Sequence, residues 1–160
     1  MTGARPIVLA LCVFSLVACA RGADGHAADE QAPAEQALAD LDSLQWDRRI
    51  VLVRSAEPAE AIAALSAAKA AVDDRRISWF VLTAEGLHSN HPRPLAPQLG
   101  ASVKARLPAG DQPACVLIGL DGGTKDSHPT LDLQRIWNLI DAMPMRRAEL
   151  DAQGRPSDSE

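Results

Sequence analysis

Three short stretches of the sequence are almost entirely apolar, and they constrain the fold more than any other feature. They are residues 50–53, 77–82 and 115–120. A strand covered on both faces lacks the polar alternation of a surface strand, so such runs are typical of central strands between layers of helices. The stretch between the first two runs has apolar residues at helical spacing. A strand-helix-strand unit of this length predicts a right-handed crossover with parallel strands.

The remaining elements complete a recognisable order. Helices are predicted over residues 58–74 and 95–105, the second after a proline-rich and less regular segment. The glycines of residues 121–123 suit a hairpin turn, which leads into a polar edge strand over residues 124–128. A final amphipathic helix follows, and Pro144 is predicted to end it. The pattern therefore predicts an α/β fold of the thioredoxin-like type, with the order β-α-β-α-β-β-α.

The first residues are typical of an export signal rather than of a folded element. Arg5 precedes an apolar run over residues 7–17, which at roughly 12 residues is too short to span a membrane as a helix. The run ends in residues 16–19 (LVAC), the pattern at which a bacterial lipoprotein is cut and lipidated on its cysteine. An ordinary cleaved signal, cut after Ala20 or Ala27, is the alternative.

Composition along the chain suggests four segments. Residues 1–18 are predicted to be the lipoprotein signal peptide, and residues 19–40 a lipid anchor on Cys19 with a flexible tether, because the tether lacks large apolar residues before its end. Residues 41–150 are predicted to be the thioredoxin-like domain. The polar residues 151–160 are predicted to be a disordered tail.

These segments predict the localisation of the protein and its binding partners. A lipid on Cys19 makes the membrane its first partner, and Ala20 in place of Asp favours the periplasmic face of the outer membrane over the inner membrane. The net charge is −5 and there is no basic stripe, which argues against nucleic acid as a partner. We expect an envelope protein as the second partner, although the sequence does not identify it.

The cysteines limit the chemistry of the predicted domain. Cys12 leaves with the signal and Cys19 carries the lipid, so Cys115 has no partner for an internal disulfide. A thioredoxin-like enzyme needs its reactive thiol at the start of the first helix, here residues 55–59, and that stretch has no cysteine. We therefore predict a non-catalytic binding or accessory domain without a cofactor. The alternative is a redox component that uses Cys115 with a partner's thiol.

Two further groups of residues are candidates for binding. Arg146 and Arg147 follow the last helix and suit an anion or the acidic face of a partner. The alternative is structural, with pairing to Asp141 and capping of the helix. His88 and His91 have a spacing at which two imidazoles can share a metal. No second ligand pair accompanies them, so we predict loop histidines and no metal site.

Three stretches of the sequence resemble one family. They are residues 46–49 (WDRR), a charged entrance to the first strand, residues 117–125 (LIGLDGGTK), and residues 140–150 (IDAMPMRRAEL). Together they are similar to the family called domain of unknown function 4174, over about residues 41–150. Leu120 departs from the family, which commonly carries Lys there. The resemblance implies a thioredoxin-like fold close to the peroxiredoxins, and it implies no established activity.

Overall fold

The computed structural model describes residues 37–154. The elements are β1 (Arg49–Arg54), α1 (Pro58–Ala67), α2 (Lys69–Asp74), β2 (Ile77–Leu82), β3 (Leu87–Ser89), α3 (Leu99–Arg106), β4 (Ala114–Ile118), β5 (Thr124–His128), α4 (Leu133–Asp141) and α5 (Pro144–Gly154), with a 3-10 turn at Asp42–Leu44 before them. None of the helices within this range has both the length and the apolar composition needed to cross a bilayer.

The five strands form one mixed sheet in the order β3-β2-β1-β4-β5. β1 and β2 are parallel, as the crossover predicted, while β4 runs antiparallel to β1 and β5 antiparallel to β4. This is the thioredoxin-like arrangement, and the predicted fold class is confirmed. β3 is an addition that sequence patterns did not predict, because a strand of three residues, none of them buried, is too short to show a pattern.

Apolar side chains cover both faces of the sheet, as the continuous runs require. Alternate residues of β1 divide between the two layers, because successive side chains of a strand point to opposite faces. Leu52 packs with the layer that includes α3. Val51 and Val53 pack with the layer under α1, α2 and α4. The sheet is thus fixed between two helical layers, and the two ends of β1 open at opposite edges of the core.

The boundaries of the domain differ from the prediction at both ends. Leu38 was assigned to the tether but is 1% exposed and bridges to Leu95, because a large apolar side chain next to the core is better buried than solvated. Pro144 follows α4 as predicted, yet it also begins α5, a position that suits proline. α5 continues to Gly154, so residues 151–154 are helical rather than tail. The signal, Cys19 and the rest of the predicted tail lie outside the described residues.

Candidate functional site

The carboxyl end of β1 is where a thioredoxin-like fold presents its reaction centre, beside the first helix. The connection to α1 contains Ser55, Ala56 and Glu57. The N–H of Glu57 donates to Oγ of Ser55 at 3.0 Å, so the hydroxyl stabilises the turn. A cavity of about 380 Å³ opens here against Pro113 and Leu131. This carboxyl-end cavity therefore offers space without a thiol nucleophile.

Cys115 lies in β4 and not in that cavity. It is 5% exposed, within the apolar layer under α1, α2 and α4. Burial, together with the charge of Asp126, raises the pKa of its thiol to about 12. Since the thiolate is the reactive form of cysteine, burial and the raised pKa both disfavour reaction at Cys115. Cys12 and Cys19 are outside the described residues.

The amino end of β1 holds a dense group of charges instead. Arg49 is 0% exposed, and its Nη1 and Nη2 donate to the two carboxylate oxygens of Glu149 at 3.2 and 3.1 Å. Nη1 also donates to the carbonyl oxygen of Arg75 at 2.9 Å. A bidentate pair of this kind joins α5 to the first strand. We call this group the amino-end cluster, and its members are Arg49, Arg75, Arg146, Asp74, Asp141 and Glu149.

Of the two predicted candidates after α4, only Arg146 belongs to the cluster. Arg146 is 2% exposed, and its Nη1 donates to the carbonyl oxygen of Asp74 at 2.9 Å while its Nη2 bonds the Asp74 carboxylate. Its Nε lies 3.5 Å from Oδ1 of Asp141, so Arg146 takes the alternative in which it pairs with that residue. Arg147 is exposed, and its side chain makes no ion pair within residues 37–154.

Arg75 extends the cluster toward α4. Its Nη2 donates to Oδ2 of Asp141 at 2.6 Å, and its guanidinium lies 5.2 Å from the centre of the Trp137 ring. Partial burial alone would raise the pKa of Asp141. The hydrogen bonds and charges of Arg75 and Arg146 overcome that effect and hold the pKa of Asp141 below its ordinary value. The carboxylate therefore stays ionised between two guanidinium groups.

Two residues beside the cluster have a left-handed backbone conformation that residues other than glycine rarely adopt. Trp46 has φ 67° and Arg76 has φ 52°. The N–H of Trp46 donates to the carbonyl of Leu120 at 2.7 Å, and the carbonyl of Arg76 accepts from the N–H of Arg49 at 2.9 Å. Each such conformation costs about 1–2 kcal/mol. The surrounding fold therefore holds the entrance of β1 in a fixed shape.

Sequence reasoning did not predict that Arg49 is buried or that Glu149 pairs with it. Arg49 was placed only in a charged entrance to the first strand, with no partner assigned to it. One local feature pointed to burial, because Arg49 directly precedes a run of four apolar residues in a central strand. Nothing local pointed to Glu149, which lies 100 residues further along the chain.

The predicted loop histidines do not come together as ligands. His88 is exposed in β3, while His91 is half-buried. Nε2 of His91 accepts from Nε of Arg93 at 3.3 Å, and its Nδ1 lies 3.3 Å from Oγ of Ser78. Burial lowers the pKa of His91, and the charges of Arg93 and Arg48 lower it further. No group of three or more potential metal ligands occurs within the part of the chain that the structure describes.

Comparison with known proteins gives a family and several similar structures, two of which are named here. The family model described as Domain of unknown function (DUF4174) matches residues 40–149. A reduced 2-Cys peroxiredoxin from Plasmodium vivax is 15% identical, with a TM-score of 0.48 over 75% of this chain and 77% of that chain. Thioredoxin peroxidase I from Plasmodium yoelii is also 15% identical, with a TM-score of 0.47 over 75% of this chain and 85% of that chain. No curated protein matches the chain.

Proposed function

Because the chain belongs to the DUF4174 family and has a thioredoxin-like domain, we propose that it is an exported, lipid-anchored envelope protein whose domain binds rather than catalyses. The observation that carries this proposal is the carboxyl end of β1. Its cavity of about 380 Å³ is open, but Ser55, Ala56 and Glu57 stand where a reactive cysteine would be needed. A domain with this surface can hold a segment of another protein without exchanging a disulfide with it.

The buried thiol supports the same proposal. With a pKa raised to about 12, the thiol of Cys115 is almost entirely protonated near pH 7. Its side chain is covered by the apolar layer under α1, α2 and α4, so a partner's thiol has no direct path to it. An envelope protein that docks at the carboxyl-end cavity is the partner we propose.

Turnover assays test the absence of redox catalysis. The purified chain and Cys115→Ala are assayed for peroxide reduction and for reduction of a protein disulfide, each coupled to an external reductant. We expect the same background rate from both proteins. A rate that is well above background and that Cys115→Ala abolishes would refute the binding role and establish Cys115 as a redox residue.

Thiol labelling gives an independent measurement of the same point. The difference in labelling between the chain and Cys115→Ala counts the thiol at position 115 alone. We expect no difference in native buffer at pH 7 and one additional thiol in concentrated urea. Rapid labelling in native buffer would contradict the packed state of Cys115.

The lipid anchor is proposed from the sequence of residues 7–19, which has the apolar run and the cysteine that lipidation requires. Radiolabelled palmitate fed to producing bacteria should label the chain, and Cys19→Ser should remain unlabelled. Ala20→Asp should move the lipidated chain from the outer to the inner membrane on a density gradient. Equal labelling of the chain and Cys19→Ser would rule out the anchor, and outer-membrane retention of Ala20→Asp would rule out sorting by this position.

A further inference from the structure

The last helix, α5, has almost no apolar attachment to the rest of the domain. Of its 11 residues, only Arg146 is buried. Its large apolar side chains, Met145 and Leu150, are 44% and 41% exposed. Most helices are held on a protein by the apolar surface that they bury against the core. α5 must therefore be held in another way.

Two charged residues, about one helical turn apart, supply this attachment. Arg146 donates to the carbonyl oxygen and to the carboxylate of Asp74 at the end of α2, and its Nε faces Asp141 of α4. Glu149 accepts two hydrogen bonds from Arg49 of β1. We call Arg146 and Glu149 the α5 latch. The latch fastens the helix to three other elements through ion pairs and hydrogen bonds.

The interface that the latch closes is incompletely paired. Within residues 37–154, four buried side-chain nitrogen and oxygen atoms have no hydrogen-bond partner, and all four belong to the amino-end cluster. Two of them, Nε of Arg146 and Oδ1 of Asp141, face each other at 3.5 Å across the contact between α5 and α4. Charged groups lose hydration when they are buried, and incomplete pairing leaves part of that loss uncompensated. The groups that hold α5 closed therefore also oppose its closure.

The connection between α4 and α5 allows the last helix to move separately. Pro144 has no N–H, so it interrupts the hydrogen-bond ladder between the two helices. Met143, directly before it, packs against the apolar layer under α1, α2 and α4. The chain is thus anchored in the core as far as Met143, and beyond that residue it is held by the latch.

We propose that α5 is a strap that opens and closes as one unit while the sheet stays folded, and that the α5 latch sets how often it opens. Opening of one marginal unit on a folded remainder is a common form of native-state motion. A detached helix of 11 residues is too short to persist in water, so the open strap loses its helical hydrogen bonds. Opening also removes Glu149 from Arg49. This inference does not depend on the proposed binding role.

Hydrogen exchange of individual backbone amides, measured by NMR on the purified full chain, tests this proposal. We expect the hydrogen-bonded amides of α5 to share one protection factor, at least about tenfold below those of β1 and β4, because opening of α5 alone exposes them. Ordinary fraying of a terminal helix would instead give protection that falls steadily toward Gly154. Such a steady fall, or protection of α5 equal to that of β4, would overturn the proposal.

Two variants of α5 replace a carboxylate by an amide of the same shape. Glu149→Gln weakens the latch, and we expect the protection of α5 to fall at least about tenfold, while the ratio of protection between β4 and α5 stays the same because the sheet of the open form is unchanged. Asp151→Asn is the control, since the ion pairs of α5 involve Arg146 and Glu149 but not Asp151. A Glu149→Gln chain in which α5 and β4 exchange at one rate would show a single cooperative unit and refute the strap. Equal effects of the two variants would refute the latch.

Discussion

The two ends of β1 lie roughly 17 Å apart and are built in opposite ways. At the carboxyl end, the fold keeps an open cavity at the usual reaction centre, but only Ser55, Ala56 and Glu57 line the turn. At the amino end, where thioredoxin-like chemistry needs nothing, two guanidinium groups are buried and paired. The comparison shows that the buried ion pairs of Arg49 and Arg146 lie away from the fold's usual reaction centre.

The largest expected effect comes from removing Glu149. Glu149→Ala leaves the guanidinium of Arg49 buried without its carboxylate, and we expect a loss of about 3–5 kcal/mol in the free energy of unfolding. Glu57→Ala at the carboxyl end is the control, since its side chain caps nothing, and should change stability by less than about 0.5 kcal/mol. Urea denaturation followed by tryptophan fluorescence measures both. Equal losses of unfolding free energy in Glu149→Ala and Glu57→Ala would contradict the proposed difference between the two ends of β1.

Replacing both partners should cost less than removing one. In Arg49→Met with Glu149→Met, no charge is left unpaired, so we expect the double variant to be at least about 2 kcal/mol more stable than Glu149→Ala. The same urea measurement on the single and double variants gives the coupling energy. A double variant that is as unstable as the sum of the single ones would mean that the two residues contribute independently of each other.

Asp141 makes the amino end sensitive to acid. The pKa of Asp141 is lower in the folded state than in the unfolded chain, so its ionised form stabilises the fold. This stabilisation is complete above the ordinary pKa of about 3.9, and it is lost as the pH falls through the lowered pKa of the folded state. Asp141→Asn should therefore lower stability by up to about 1 kcal/mol at pH 7 and by progressively less below pH 4. Thermal unfolding of the chain and the variant from pH 7 to pH 3 tests this. A difference that stays constant down to pH 3 would contradict it.

The smallest effect on stability is expected from introducing a cysteine at the carboxyl end of β1. Ala56→Cys puts a thiol in an exposed position close to the start of α1, and stability should change by less than about 0.5 kcal/mol. The new thiol should react rapidly with a disulfide reagent at pH 7, while Cys115 in the same molecule does not. An unreactive thiol at position 56 would show that the cavity is less open than its geometry indicates.

The sequence predicted the strands well because their pattern is local. Residues 77–82 form β2 and residues 124–128 form β5 with the predicted bounds. α5 was not predicted, because it has no broad apolar stripe and is held largely through Arg146 and Glu149. Such a helix resembles a polar tail when it is considered alone. Its structure follows from charges supplied by β1 and α2, which no window of neighbouring residues contains.

The pair between Arg49 and Glu149 also has a consequence for how the chain matures. Arg49 in the first strand of the sheet and Glu149 in α5 are 100 residues apart, and among the described residues the guanidinium of Arg49 has no other carboxylate partner. A growing chain therefore has no finished domain until its final helix has been synthesised. If the protein is exported as we propose, this delay would keep it loosely folded while it threads through a secretion channel, and the closing of α5 on β1 would be a late step on the far side.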